Sequence, residues 1–80
     1  MLTAYIDAAM RKATYEILPD DGTYYGEIPG LQGVWANEAT LEACREELKS
    51  ALEDWMLYRL SKQLTLPVVD EIDLNVKEAV

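Results

Sequence analysis

The chain contains no histidine, no phenylalanine and one cysteine, Cys44, and it carries seven basic residues against fifteen acidic ones. Each shortage excludes something. Without histidine there is no Ser-His-Asp triad, no imidazole general base and no histidine-ligated zinc site. A single cysteine allows no internal disulfide, which fits an intracellular, cytoplasmic location. The few Lys and Arg residues are dispersed, and the net charge is −8. That leaves no basic surface to replace phosphate counterions, so direct nucleic-acid binding is not expected. No apolar run approaches the roughly 18–20 residues needed to span a membrane. Asp7 interrupts the first turns, where a signal peptide needs an unbroken apolar block.

What is present is a folded composition. Half of the 80 residues are apolar, which argues for one ordered domain. A domain of this size buries only about 60–65% of the surface its unfolded chain exposes. A partner or a homo-oligomer is therefore a natural source of added stability. The acidic charge favours a basic protein partner and speeds encounter with it, although solubility alone also accounts for such a charge.

The order of elements can be read from periodicity and punctuation. Leu2, Tyr5, Ile6, Ala9, Met10 and Ala13 form one helical stripe, followed by Arg11 and Lys12 at the end that favours cations. Residues 14–18 and 23–28 read as strands around a Pro19-Asp20-Asp21-Gly22 turn. Gly26 weakens its strand, so a packing reason is expected, most simply a helix lying close over it. Pro29 stops the ladder, and Gly30 and Gly33 let the chain turn. Residues 34–36 make a third strand, with 37–39 as a loop. A long helix follows over 41–62, capped by Thr40, with Leu41, Cys44, Leu48, Ala51, Leu52, Trp55, Met56 and Leu60 on its apolar stripe. Residues 72–76 alternate and read as a short fourth strand. The expected fold is α+β: a three-stranded antiparallel sheet plus that fourth strand, one long helix packed on one face, and a short N-terminal helix.

No catalytic set stands out, and no cofactor is expected. Gly30 and Gly33 fit neither a P-loop nor a dinucleotide fingerprint. Cys44 lies on the apolar stripe and reads as a buried, inert thiol. Glu16, Asp21 and Glu27 could in principle hold a divalent cation for nuclease chemistry, because hard cations take oxygen ligands. Turn and solvent-face roles explain the same residues without a metal. Five tyrosines and two tryptophans suit interfaces, since each ring carries a polar handle. Tyr25, Glu27 and Trp35 are the expected partner contacts, on a sheet face that the helix does not cover; membership of the core is the competing reading for the rings. Trp55 and Tyr58, near the apolar end of the long helix, are the expected self-association residues.

The motif order also resembles a known family. Tyr15-Glu16-Ile17-Leu18, then Asp21-Gly22-Thr23-Tyr24-Tyr25-Gly26-Glu27-Ile28-Pro29-Gly30, then Thr40-Leu41-Glu42-Ala43 resembles the N-terminal domain of HicB-type antitoxins. The resemblance covers about residues 14–62. It implies a partial ribonuclease-H-like fold whose partner is HicA, a small basic toxin that cleaves messenger RNA. The antitoxin domain covers the toxin's active surface. Val34 stands where Cys is frequent, and Ala43 where a second Glu is common. Full-length relatives add a helix-turn-helix or ribbon-helix-helix unit that binds operator DNA. The 18 residues after Lys62 cannot form one, so a single HicB-like domain over 1–80 without operator binding is expected. The expected function is non-enzymatic neutralisation of such a toxin. The alternatives are an orphan module that only self-associates and a metal-dependent nuclease.

Overall fold

A computed structural model describes residues 2–74. The order of elements is α1 (Leu2–Arg11), β1 (Thr14–Ile17), β2 (Tyr24–Glu27), β3 (Trp35–Glu38) and α2 (Leu41–Ser61). The three strands form one antiparallel sheet in the order β1-β2-β3. The fold is thus α+β, as the sequence predicts. No described helix is long and apolar enough to cross a membrane.

Helix α2 organises the molecule. Thr40 has extended backbone angles, and its hydroxyl accepts from the Ala43 amide at 3.1 Å, closing the first turn. At the other end Gln63 takes a left-handed φ of 57°. The Gln63 amide then donates to the Leu60 carbonyl and the Leu64 amide to that of Arg59. This is a Schellman stop with Gln in the place glycine usually takes. Between the caps, Cys44, Leu48, Leu52 and Met56 are all buried at four-residue steps. The N-terminal part of this stripe packs on β2 and β3, and α1 also packs against α2.

Gly26 explains how close that packing is. A Cβ at Gly26 would lie 2.9 Å from two ring carbons of Tyr15 and 3.2 Å from the Cys44 sulfur. Tyr15 is its cross-strand neighbour on β1, and Cys44 is on α2. The expected close helix is present, but the ring beside Gly26 is the tighter constraint. Ile17 shares Tyr15's side of β1, yet it is 61% exposed at this edge strand.

The β2–β3 connection makes two tight turns, with Leu31 donating to Ile28 and Val34 donating to Leu31. Gly30 and Gly33 adopt φ of 88° and 91°, which lets Ile28, Leu31 and Val34 all turn into the core. The third strand differs from the expectation by one residue at its start and two at its end. Asn37 and Glu38, expected in a loop, pair with Tyr25 and Tyr24. The Asn37 amide fixes this extension by donating to the Thr23 hydroxyl at 2.7 Å and the Tyr24 carbonyl at 2.9 Å.

The fourth strand expected over 72–76 does not join the sheet among the described residues. Instead Val69 and Ile72 form an isolated antiparallel bridge around Asp70 and Glu71. Both turn residues have positive φ, 46° and 66°, as a type I′ turn requires. No Gly or Asn marks the turn, so it was not readable from composition. Contacts with α1 hold it: Asp70 receives Lys12 at 2.9 Å and Arg11 at 3.8 Å. Nearby, the buried Tyr5 hydroxyl donates to the Pro67 carbonyl at 2.6 Å. Leu66 and Val69 complete the core beside α1. Asn75 and Val76, the rest of the expected strand, lie outside the described residues.

Three outcomes follow from this packing. Gly26→Ala will lower stability by about 1–3 kcal/mol through overpacking, measured by chemical denaturation, and Tyr15→Ala in the same chain will recover part of the loss. Tyr5→Phe will cost about 1–2 kcal/mol by removing the donor to Pro67. The Asp70 carboxyl is held below the usual aspartate range, first by the Lys12 hydrogen bond and then by the charges of Lys12 and Arg11. A lowered folded pKa contributes stability above the unfolded value of about 4 and loses it as pH falls through that range. Asp70→Asn will therefore flatten part of the acid-side decline in Tm.

Candidate functional site

The face of the sheet away from α2 is open. On this face Glu16 stands opposite Tyr25, and Tyr25 opposite Asn37. In the next row Thr14 stands opposite Glu27, and Glu27 opposite Trp35. Antiparallel pairing thus sets residues from three separate stretches of the chain side by side on one surface.

Two of these side chains interlock. The Tyr25 and Trp35 rings stack with centroids 6.2 Å apart and planes inclined by 24°. Trp35 is 56% exposed, so the pair forms part of the surface. The Tyr25 hydroxyl donates to a Glu27 oxygen at a long 3.5 Å. Desolvation, then the Glu27 carboxylate, and then the charge of Glu16 raise the Tyr25 phenol above its usual value. A tyrosine hydroxyl is a donor at neutral pH with or without that shift. Shallow depressions lie to each side, one lined by Thr14, Glu16 and Tyr25, the other by Glu27, Pro29, Gly33 and Trp35.

The electrostatics of this face have one sign. No strand carries a lysine or arginine. Glu16 and Glu27, the carboxylates on this face, are exposed. Aromatic faces beside carboxylates attract guanidinium and ammonium groups, the rings through their quadrupoles and the carboxylates through charge-assisted hydrogen bonds.

The other expected residues lie elsewhere. Asp21 caps its own turn, accepting the Thr23 amide at 3.0 Å and the Thr23 hydroxyl at 2.7 Å. Those bonds hold its carboxyl below the ordinary aspartate range. Among the described residues, no three His, Cys, Asp or Glu side chains are grouped so that they could hold a metal ion. Cys44 is fully buried, and its thiol is pushed up first by desolvation and then by the charge of Glu38. Trp55 is partly buried against the core, with the Arg59 guanidinium 5.2 Å from its ring centre. Tyr58 is exposed.

A second surface feature includes the apolar end of α2 that the sequence marks as a self-association contact, but its other wall comes from α1. Leu2 and Ile6 of α1 and Met56, Leu57 and Leu60 of α2 line an apolar groove, with Glu53 at its edge. Leu60, which its spacing puts on the apolar stripe of α2, is exposed together with Leu57, because the core ends at Met56 on this helix. Only the docking of α1 on α2 brings them beside Leu2 and Ile6.

Comparison with known proteins adds the following. The crystal structure of TTHA0281 from Thermus thermophilus is similar at 44% sequence identity, with a TM-score of 0.88, over 96% of this chain and 95% of that one. No curated protein matches the chain. A family model described as UPF0150-like matches residues 4–67, from α1 through Pro67, and so takes in α1, the sheet and α2. The chain belongs to the UPF0150-like family.

Proposed function

We propose that this protein is a non-enzymatic, cytoplasmic antitoxin that binds and neutralises a small basic RNA-cleaving toxin of the HicA type. The observation that carries this reading is the open sheet face: a stacked Tyr25–Trp35 pair among Glu16 and Glu27, with no cation on any strand. A toxin that grips RNA needs Lys and Arg on its active surface. Carboxylates and ring faces compete for those same groups, so a protein that covers them also excludes the phosphates. The HicB-like motif order from Tyr15 to Ala43 points to the same partner, and the acidic net charge of −8 favours rapid encounter with it.

The face is suited to binding rather than to chemistry. Asp21, one of the three carboxylates considered for a nuclease, is already occupied by Thr23. Glu16 and Glu27 project from the sheet beside rings rather than toward a third ligand.

The test is binding of a purified HicA-type toxin, measured by calorimetry, together with protection of RNA from that toxin. Trp35→Ala will weaken binding by about 30-fold, as expected for an aromatic anchor near the centre of an interface. Glu27→Lys will weaken it further and reduce its dependence on salt. Retention of full affinity by the Glu27→Lys, Trp35→Ala double variant would remove this face from the interface. Metal-dependent RNA cleavage by the chain itself, lost in Glu27→Gln, would replace the reading with an enzymatic one.

A further inference from the structure

The groove between α1 and the second half of α2 is separate from the sheet face, and the function proposed above does not use it. Its walls are Leu2, Ile6, Met56, Leu57 and Leu60, and among the described residues Glu53 is the only charged one lining it. Leu57 is 64% exposed and Leu2 48%. The Arg59 side chain is engaged elsewhere, over the Trp55 ring and donating to the Thr65 carbonyl at 2.8 Å. Arg59 is accordingly not among the residues that line the groove.

We infer that this groove is where a second copy of the chain docks. The argument rests on where the charge is. Residues 14–50 carry eight carboxylates against two cations. Residues 51–64 carry two of each, and residues 2–13 carry one carboxylate against two cations. Residues 65–80 carry four carboxylates against one cation, and one of these, Asp70, is paired with Lys12 and Arg11. The largest share of the charge that opposes self-association, a net −6, thus lies on the sheet, its turn and the first half of α2. The groove is lined only from the two segments nearest balance, residues 2–13 and 51–64.

Distance strengthens the point. Glu42 to Glu47 lie ten to fifteen residues before Leu57 on the same helix. At 1.5 Å per residue that is roughly 15–22 Å, about two Debye lengths at physiological salt. Two chains meeting at Leu57 and Leu60 hold their acidic ends apart, where screening is nearly complete. Meeting through the sheet faces would oppose Glu16 and Glu27 to their own copies. An anionic membrane is a poorer occupant for the same electrostatic reason, because the whole chain carries excess negative charge. Self-association at the groove leaves both sheet faces of a dimer open.

Sedimentation of the full chain across a micromolar concentration series tests this inference. The expected result is a reversible dimer whose affinity holds or rises with added salt. Leu57→Glu will weaken it at least tenfold with unchanged far-UV circular dichroism, and Trp35→Ala will leave it intact. Should Leu57→Glu not fold, Leu60→Gln carries the same expectation. A chain that stays monomeric throughout the series overturns the inference. So does a dimer indifferent to both groove variants, or one that Trp35→Ala dissociates. Binding to anionic vesicles through Leu57 in place of dimerisation also overturns it. Toxin binding is read on the sheet-face variants, so failure here leaves that reading untouched.

Discussion

The close approach at Gly26 is the constraint from which the arrangement of this molecule follows. With no side chain at that position, the Tyr15 ring crosses the strand and the Cys44 sulfur of α2 rests against the same spot. A Cβ there would push both away. This contact seats the N-terminal half of α2 on the sheet, and seating α2 decides which face of each strand is covered. Because side chains alternate along a strand, the covered face determines the open one as well. Tyr25, Glu27 and Trp35 are exposed partners because Gly26 and Ala36 are buried ones.

Helix α2 has two roles along its length. Its first half carries Cys44 and Leu48 against the strands. Its second half extends beyond them, and there Leu52 and Met56 share a core with Tyr5, Ala8 and Ala9 of α1 and with Leu66 and Val69 of the following segment. The Tyr5–Pro67 hydrogen bond and the Lys12–Asp70 ion pair tie that segment back to α1. An α2 of 21 residues thus runs through one continuous core from the sheet to α1. Functional character divides along the same axis: the sheet end is acidic and aromatic, and the α1–α2 end presents an apolar groove and carries less net charge.

This division gives the two proposed contacts different physics. A basic partner at the sheet face is attracted at long range, and its binding weakens as salt screens the carboxylates. A second copy at the groove meets mainly apolar surface, whose burial does not need opposite charge. The two contacts occupy different faces, so one need not exclude the other.

Much of this was legible in the sequence. The 3.6-residue stripe from Cys44 to Met56, the Thr40 cap, the hairpin around Asp21-Gly22 and the turns at Gly30 and Gly33 are local signals, and each specified its element within a residue or two. The Asp70-Glu71 reversal was not legible, because its positive φ angles are held by Lys12 and Arg11 from another element rather than by glycine. The groove was not legible either, since Leu2 and Leu57 are neighbours only in three dimensions. For the open face, alternation named Tyr25 and Glu27 as one set but could not say whether that set was covered. The sequence by itself determined the elements, the acidic charge and the absence of histidine chemistry, because these depend on residue type and local spacing. Tertiary structure alone decided which sheet face lies under α2 and which leucines remain outside, because both depend on where one helix comes to rest against distant residues.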